Sequence, residues 1–272
     1  ILSVLINGRI TNKSFSRWSL IPKFAKKIFN TFDLCLPSSQ TSKNYLDQLN
    51  AKNIKFIGNI KLASKINIDK FKNKNENFFN KNRIWGAVST HKGEEIFCLK
   101  THELLKKEFN NIKTIIIPRH INRSNEIKLL CDDHNFISQI LNKNEIIEDK
   151  TQVVIVNSFG VIHEFLKYFN SVFMGKSVLQ NLKNESGQNP IEAAKLGCKV
   201  YHGPFVVNFE EIYKLLNSYK ITEEIKNEKE LSEKLSKDFK NIISNNNQTN
   251  KKINDLGKEI LDNSIKEIKK LL

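Results

Sequence analysis

A basic residue stands where the sequence could hold a phosphorylated ligand. Arg119 follows the apolar run 113–117 through a single residue, Pro118, so the sequence predicts its guanidinium at the end of a buried strand. A guanidinium donates two parallel hydrogen bonds to a phosphate, which makes phosphate binding our leading hypothesis. The competing interpretation is a surface ion pair with a nearby carboxylate. His120, which comes next, suits either proton transfer or a structural hydrogen bond.

A second candidate lies in the segment 187–197, whose residue types are typical of a short helix. Asn189 is a good N-cap, Pro190 suits the first helical position, and Gly197 suits the helix stop. The free N–H groups of such a helix start attract anions. Glu192 has two open roles here: a capping box with Asn189, or a hydrogen bond to the hydroxyls of a ribose.

A third group of polar residues follows the apolar run 84–88. Ser89, Thr90 and His91 precede a predicted helix that opens with glutamates at 94–95. We expect Ser89 or Thr90 to cap that helix and to contact a phosphate or a sugar. We expect the two glutamates to act as partners of the helix dipole rather than as catalytic acids.

The elements that position these residues are short apolar strands alternating with longer helical segments. The predicted strands are 1–6, 54–57, 84–88, 113–117, 152–156, 171–174 and 199–202. Such alternation is typical of a parallel sheet covered on both faces, and it predicts a doubly wound α/β fold. In such sheets ligands bind beyond the carboxyl ends of the strands. Five of the strands are followed by polar, basic or glycine-containing loops, which predicts one functional crevice.

Composition limits the classes of protein to consider. The 272 residues carry a formal net charge of +15, with 39% hydrophobic and 27% charged residues. The charge indicates either phosphate-rich partners or a general abundance of lysine, and the even spread of lysine favours the second. No apolar run approaches the roughly 18–20 residues of a membrane span. No basic–aromatic block or zinc-finger spacing indicates a nucleic-acid partner.

The cysteines and acidic residues do not predict a metal site. Cys35, Cys98, Cys131 and Cys198 include no C-x-x-C pair, so we expect buried free thiols. The run 132–134, Asp-Asp-His, invites a metal interpretation, but the sequence offers it no second cluster of ligands.

The density of lysine and asparagine predicts the domain limits. We expect residues 1–60 to be the end of one α/β domain, 61–82 a linker, and 83–245 a complete second domain. A polar break at 244–247 introduces an amphipathic helix over 246–272, which must pack against another part of the protein.

Several of these segments together resemble the Kdo transferases, the 3-deoxy-D-manno-octulosonic acid transferases of lipopolysaccharide synthesis. The longest matching segments are 85–95 (WGAVSTHKGEE), 118–123 (PRHINR) and 187–194 (GQNPIEAA). Shorter matches follow in the expected order at 7–14, 58–61 and 203–209. Each segment is short, but the combination is specific, and the resemblance extends from residue 1 to about residue 215.

The resemblance implies a GT-B architecture, in which two Rossmann-like domains face each other across a cleft. The C-terminal domain would bind the donor, CMP-Kdo, and the N-terminal domain the acceptor, a lipid A precursor. Arg119 would contact the phosphate and Glu192 the ribose. The implied nucleotide-binding residues are Pro118, Arg119, Phe159, Gly160, Val161, Asn189, Pro190, Ile191 and Glu192, with Ser89, Thr90 and His91 as possible donor-site residues.

The resemblance also implies how and where the enzyme acts. Kdo would be transferred with inversion, without a cofactor and without a nucleotide-bound metal. The family's base is a carboxylate in a glycine-rich loop, which we expect upstream of Ile1, so no residue is assigned as the base and the activity of residues 1–272 alone stays open. The implied location is the cytoplasmic face of the bacterial inner membrane, at an anionic surface, with peripheral attachment or an anchor upstream of Ile1.

Five positions depart from the family pattern. Asn157 replaces Asp, Val161 replaces Glu, Gln188 replaces His, and Lys176 and Ser186 replace glycines. We expect nucleotide binding to survive these changes because the backbone N–H donors remain. Two alternatives stay open: another GT-B enzyme that uses a UDP-sugar, or a related epimerase, and a basic nucleic-acid-binding module.

Overall fold

The computed structural model describes residues 1–241 and 246–272, which form two compact units. Unit 1 consists of residues 1–65 and 251–272, and unit 2 consists of residues 66–250. The chain therefore leaves unit 1, builds unit 2 without interruption and returns to unit 1 at its C-terminal end.

The secondary-structure elements follow the predicted alternation. The strands are β1 (Val4–Gly8), β2 (Leu34–Pro37), β3 (Arg83–Thr90), β4 (Ile112–Pro118), β5 (Ser138–Leu141), β6 (Val153–Val156), β7 (Ser171–Met174), β8 (Lys199–His202) and β9 (Thr222–Glu224). The α-helices are α1 (Asn12–Ser19), α2 (Pro22–Phe29), α3 (Gln40–Gln48), α4 (Glu76–Lys81), α5 (Glu94–Lys106), α6 (Ser124–Asp133), α7 (Ile162–Leu166), α8 (Ile191–Lys195), α9 (Glu210–Ser218), α10 (Glu228–Lys240) and α11 (Asn246–Lys269). Within these described ranges, no helix has the length and apolar character needed to cross a membrane.

Unit 1 is built on a parallel pair of strands, β1 and β2, in which Val4 lies opposite Leu34. The predicted strand at 54–57 is wrong. Ile54 forms only an isolated bridge to Cys35, and the chain then leaves the sheet. A β-branched residue type is not enough to make a strand when no neighbour continues the hydrogen-bond ladder.

The C-terminal helix α11 packs within unit 1. Ile260 on this helix is only 5% exposed. Gly257 lies so close to Leu62 that a Cβ atom would meet the Leu62 carbonyl oxygen at 2.1 Å. The amphipathic helix predicted over 246–272 is therefore present, and Ile253 and Ile260 on it are buried, whereas Leu261 and Ile265 are exposed. The predicted polar break at 244–247, and the domain limit placed there, fall partly outside the described residues.

Unit 2 contains, among its described residues, a parallel sheet in the order β5-β6-β4-β3-β7-β8-β9. Successive side chains of β3 alternate between two hydrophobic cores: Trp85 and Ala87 lie in one, Ile84 and Val88 in the other. Burial on both faces explains the continuous apolar runs of the sequence. The predicted doubly wound α/β fold is confirmed.

Part of the segment predicted as a linker, 61–82, is packed structure. Phe78 and Phe79 of α4 are 4% and 5% exposed and belong to the same core as Val88. The Phe79 ring also stacks on Tyr168 with centroids 4.3 Å apart. The lysine- and asparagine-rich composition concealed this helix, because only two apolar residues anchor it.

Candidate functional site

The carboxyl ends of five adjacent strands lie along one edge of the unit 2 sheet. Strands β6, β4, β3, β7 and β8 are neighbours in that order, and every pair runs parallel. The loops that follow them begin at Asn157, Arg119, His91, Gly175 and Gly203. The predicted grouping of five loops at one edge is therefore confirmed, and this edge is the candidate site.

The end of β3 departs from regular strand geometry. Ser89 has a φ of 57°, in the left-handed region that L-residues other than glycine seldom adopt. The pairing with β4 shifts register between Val88 and Thr90, and the Arg119 N–H donates to the Thr90 carbonyl at 3.0 Å. Neither Ser89 nor Thr90 caps helix α5 as predicted, since Gly93 occupies the N-cap position.

A buried carboxylate, Glu94, joins two loops of the site. Its Oε2 atom accepts the backbone N–H groups of His91 at 3.0 Å and Lys176 at 2.6 Å. Its Oε1 atom accepts those of Ser177 at 2.8 Å and Val178 at 3.3 Å. Burial raises the pKa of the Glu94 carboxyl, and the four donors oppose that shift. Glu94 lies in the first helical turn as predicted, but its main function is to fix the loop after β7 beside the loop after β3.

The same contacts correct our expectation about backbone donors. We expected backbone N–H donors to remain for the nucleotide at the five positions that depart from the family pattern, of which Lys176 is one. Instead, the N–H groups of Lys176, Ser177 and Val178 all point to Glu94. What this loop offers the site is therefore the Lys176 side chain.

The neighbouring glutamate, Glu95, forms a buried ion pair. Arg123 donates to its two oxygens at 2.8 and 3.0 Å, and the Glu95 side chain is fully buried. Arg123 also contacts Glu126 at 3.3 Å. This arginine, which belongs to the matching segment 118–123, is therefore held by protein carboxylates.

Arg119 has no such partner. Its side chain is exposed, and within residues 1–241 and 246–272 no carboxylate pairs with it. The ion-pair interpretation of Arg119 is therefore not supported. The rings of His120 and His91 meet edge to face with centroids 5.8 Å apart. Burial lowers the pKa of His91, and the nearby Lys176 and His120 lower it further, against the opposing effect of the Ser89 carbonyl.

The loop after β6 is brought to helix α8 by a histidine that our sequence analysis did not single out. Phe159 is 73% exposed, Gly160 has a φ of 75°, and Val161 is buried. Two residues on, the His163 Nε2 atom lies 3.3 Å from a Glu192 carboxylate oxygen. In the sequence, the feature that could have indicated this contact is the position of His163 three residues after Gly160, in the short helix α7.

The start of α8 differs by one residue from the prediction. Pro190 occupies the N-cap position, and the Asn189 side chain accepts the Ile191 N–H at 3.2 Å. The capping box, one of the two roles left open for Glu192, is not observed, because the Glu192 carboxylate faces His163 instead. Gly197 ends the helix with a φ of 88°, as predicted. The helix has only five residues and one of its first N–H groups is occupied, so its start is a weaker anion site than expected.

The segment before α8 is held on two sides. The Gly187 N–H donates to the Lys176 carbonyl at 2.7 Å, and the Tyr213 hydroxyl donates to the Gln188 carbonyl at 3.0 Å. Gly187 has a φ of 90°, and a Cβ atom there would lie 3.0 Å from the Val206 backbone. This glycine is needed both for its conformation and for its close approach.

Asn157, which replaces an expected Asp, has a structural role. Its side chain accepts the Ser124 hydroxyl at 3.0 Å and donates to the Asn142 side chain at 2.8 Å. Among the residues that the structure describes, no group of three or more His, Cys, Asp and Glu side chains is arranged as a metal site. The Asp-Asp-His run at 132–134 is therefore not arranged as a metal site, and Asp132 pairs with Lys128.

Known proteins resemble the chain in sequence. A family model described as 3-deoxy-D-manno-octulosonic-acid transferase (kdotransferase) matches residues 1–64. The chain is 28% identical to a 3-deoxy-D-manno-octulosonic acid transferase of Rickettsia typhi, over 90% of this chain and 51% of that protein. The corresponding protein of Rickettsia prowazekii is 27% identical over 99% of this chain and 59% of its own length. The chain spans about half the length of the curated relatives it matches.

Solved structures resemble the fold. The C-terminal CMP-Kdo binding domain of WaaA from Acinetobacter baumannii matches with a TM-score of 0.55 and 18% identity, over 74% of this chain and 97% of that domain. Anabaena Alr3699/HepE in complex with UDP matches with a TM-score of 0.59 and 13% identity, over 99% of this chain and 72% of that one. These identities are low, so the two structures support the GT-B type of α/β fold. In sequence, the chain is similar to the 3-deoxy-D-manno-octulosonic acid transferases, both over residues 1–64 and over most of its length.

Proposed function

We propose that this chain provides the donor-binding part of an enzyme that transfers Kdo from CMP-Kdo to a lipid A precursor, with inversion and without a metal. The observation that carries the proposal is the exposed Arg119 side chain in the loop after β4, which has no ion-pair partner among the described residues. The loops after the neighbouring strands β3 and β7 carry His91 and Lys176. A cytidine monophosphate leaving group carries negative charge, and this edge of the sheet supplies positive charge opposite it.

Arg119 is the proposed phosphate ligand. The weaker anion site at the start of α8 leaves the phosphate to this guanidinium, which can donate two hydrogen bonds at once. As the bond between phosphate and sugar breaks, negative charge on the phosphate grows. A cation already fixed nearby stabilises that charge without reorganisation.

Glu192 is the proposed ribose ligand. Its side chain is 47% exposed, and His163 contacts one of its oxygens at 3.3 Å. A carboxylate accepts hydrogen bonds from the two ribose hydroxyls, and contact with an imidazole fixes its orientation. The exposed Phe159 ring in the adjacent loop offers a surface on which a base can stack.

Calorimetric titration of the 272-residue chain with CMP and with UDP tests the nucleotide. We expect CMP to bind and UDP to bind at least tenfold more weakly, because cytosine and uracil present opposite hydrogen-bonding groups at their fourth ring position. Preference for UDP would instead favour an enzyme that uses a UDP-sugar, or an epimerase. Tight binding of single-stranded RNA with no binding of CMP would favour a nucleic-acid-binding module.

We also propose that the protein works at the cytoplasmic face of the inner membrane, where unit 1 contacts anionic lipid. Leu20, Ile21 and Phe24 are 82%, 48% and 53% exposed around the junction of α1 and α2. Exposed basic residues flank them at Arg17, Lys23, Lys26 and Lys27. We call these seven residues the α1–α2 patch. Apolar side chains surrounded by lysine and arginine are typical of surfaces that insert among anionic headgroups.

A further inference from the structure

We propose that Lys176, together with His91, binds the carboxylate of the donor sugar beside the phosphate at Arg119. This inference rests on the proposed function, because it requires a donor whose sugar is an acid. It assigns a role to a side chain that stands where the family pattern has glycine, and it makes Lys176 a determinant of donor specificity.

The positions of His91 and Lys176 are fixed by one atom. Both backbone N–H groups donate to the Oε2 atom of Glu94, at 3.0 and 2.6 Å, so the two residues lie side by side. The His91 ring in turn contacts His120, the residue after Arg119. The basic side chains thus follow three adjacent strands, β4, β3 and β7, whose axes are separated by about 4.8 Å each.

The Lys176 ammonium is available to a ligand. In the described part of the chain, no carboxylate forms an ion pair with it. Two acidic side chains at this edge have other partners: Glu94 accepts four backbone N–H groups, and Glu95 pairs with Arg123. The local charge at Lys176 is therefore not neutralised by the protein itself.

The backbone at Lys176 is strained in a way that glycine would relieve. Its φ is 58°, in the left-handed region, which costs an L-residue of this kind on the order of 1 kcal/mol. The conformation is imposed from both sides of the residue, by the bond from its N–H to Glu94 and by the Gly187 N–H that binds its carbonyl. A lysine at this position therefore costs the fold more than a glycine would.

The chemistry of the donor explains the arrangement of two cationic centres. In a nucleotide-activated 2-ulosonic acid, the phosphate oxygen and the carboxylate are attached to the same anomeric carbon. Two anionic groups therefore enter the site within a few ångströms of each other. Arg119 and Lys176, on either side of β3, match a pair of neighbouring anions, whereas a neutral sugar would leave Lys176 without a partner.

Titration calorimetry of the 272-residue chain with CMP, CDP and CMP-Kdo tests this assignment. Lys176→Met should weaken CMP-Kdo binding roughly 10–100-fold, the usual loss for a hydrogen bond between two charged groups. CMP binding should change less than about twofold, and Lys176→Arg should keep most of the CMP-Kdo affinity. Lys214→Met, which removes an exposed lysine that pairs with Glu210 on α9, is the matched control.

A second variant separates binding from folding. Lys176→Gly relieves the left-handed backbone, so its melting temperature should equal or exceed that of the wild type, while CMP-Kdo affinity still falls. Equal losses for CMP and CMP-Kdo would mean that Lys176 binds the phosphate. A Lys176-dependent preference for CDP over CMP would mean that it binds a second phosphate. Unchanged CMP-Kdo affinity in both variants would remove Lys176 from the site, and failure of the wild type to bind CMP-Kdo at all would instead contradict the proposed function.

Discussion

The Glu94 carboxylate accepts the backbone N–H of Lys176 at 2.6 Å, across 82 positions of sequence. This bond, with three more from His91, Ser177 and Val178, joins the loops after β3 and β7 at the middle of the sheet. Gly175 between them is packed so tightly that a Cβ atom would lie 2.6 Å from the Ser89 carbonyl oxygen. The central part of the candidate site is therefore rigid before any ligand arrives.

Replacing this carboxylate should destabilise unit 2. Glu94→Gln presents an NH₂ group to donors that need an acceptor, so at least two of the four N–H groups would lose their partner. We expect the free energy of unfolding to fall by about 2–4 kcal/mol, measured by urea denaturation. Glu103→Gln, an exposed glutamate on the same helix α5, is the control and should cost less than about 0.5 kcal/mol. If Glu94→Gln lowered the free energy of unfolding no more than the control does, packing alone would hold the loop after β7 in place.

Arg119 should matter for catalysis rather than for folding. Arg119→Ala should reduce kcat/KM, in a preparation that transfers Kdo, by roughly 2–4 kcal/mol of transition-state stabilisation. Its melting temperature should stay within about 1 °C of the wild type, because the side chain is exposed and makes no ion pair in the described residues. Arg83→Ala is the matched control, since Arg83 starts β3 at the opposite edge of the sheet and bonds Asn111. Wild-type turnover in Arg119→Ala would exclude Arg119 from the site.

The proposed contact between Glu192 and the ribose predicts that Glu192→Ala no longer distinguishes CMP from 2′-deoxy-CMP. Wild-type protein should bind CMP more tightly than 2′-deoxy-CMP, since the deoxy compound lacks one of the two hydroxyls that would donate hydrogen bonds to Glu192. Glu192→Ala should weaken CMP by about 1–2 kcal/mol and leave the two ligands nearly equal in affinity. Calorimetry with Glu233→Ala, an exposed glutamate on α10, controls for a general change in charge. A preference for CMP that survives in Glu192→Ala would assign the ribose to another residue.

The sequence was most informative where structure follows from local residue types. The runs 171–174 and 199–202 are strands with those bounds, because β-branched and aromatic residues there are buried on both faces. Three strands were missed. Strands β5 and β9 lie at the two edges of the unit 2 sheet, where fewer apolar residues are needed, and β2 pairs with β1 in unit 1. The parallel order then places the five polar loops together, so the edge that carries the site was predictable from the alternation alone.

Roles within the site were less predictable, because they depend on contacts between distant residues. The identity of Glu94 and its place in a helix's first turn gave no indication that three of its four donors belong to the loop after β7. The sequence singled out Arg119 for the phosphate because it follows a predicted strand, and it assigned no contact to Arg123 four residues later. The structure separates them, because only Arg123 has Glu95 within hydrogen-bonding distance. Tertiary position, not residue type, decides which arginine remains for a ligand.

A buried histidine in unit 2 predicts a pH dependence of stability. His102 is fully buried, its Nδ1 atom bonds the Thr114 hydroxyl at 2.8 Å, and burial lowers its pKa to about 3. In the unfolded chain its pKa is near 6.5, so the unfolded state binds a proton first as the pH falls. The stability that His102 contributes is complete above pH 6.5 and is lost as the pH falls towards 3.

Urea denaturation between pH 6.5 and 5 measures this effect above the range in which most carboxylates titrate. Burial also lowers the pKa of His91 and His202, so the share of His102 is the part of the slope that a His102 variant removes. The free energy of unfolding should fall with a slope approaching about 1.4 kcal/mol per pH unit from this one proton. His102→Gln should flatten the slope, whereas His134→Gln, which removes a less buried histidine, serves as control. An unchanged slope in His102→Gln would mean that another group binds the proton.

The α1–α2 patch should bind anionic membranes through both its apolar and its basic residues. Sedimentation with vesicles of phosphatidylglycerol and phosphatidylcholine should show binding to the mixture and little to phosphatidylcholine alone, and added salt should reduce it. Leu20→Ser with Phe24→Ser should lower the bound fraction at least fivefold, because each residue loses apolar area that would leave water.

The control for the membrane experiment is Leu129→Ser on α6 of unit 2, since Leu129 is 64% exposed, between the values for Leu20 and Phe24. Lys23→Gln with Lys27→Gln separates the two contributions, since it should weaken binding to anionic vesicles while leaving the apolar side chains in place. Equal loss from the Leu129 variant would show that any exposed leucine contributes and would remove the special role of the α1–α2 patch. Binding that depends on the lysines but not on Leu20 and Phe24 would describe electrostatic adsorption without insertion, and the apolar residues would then need a different partner.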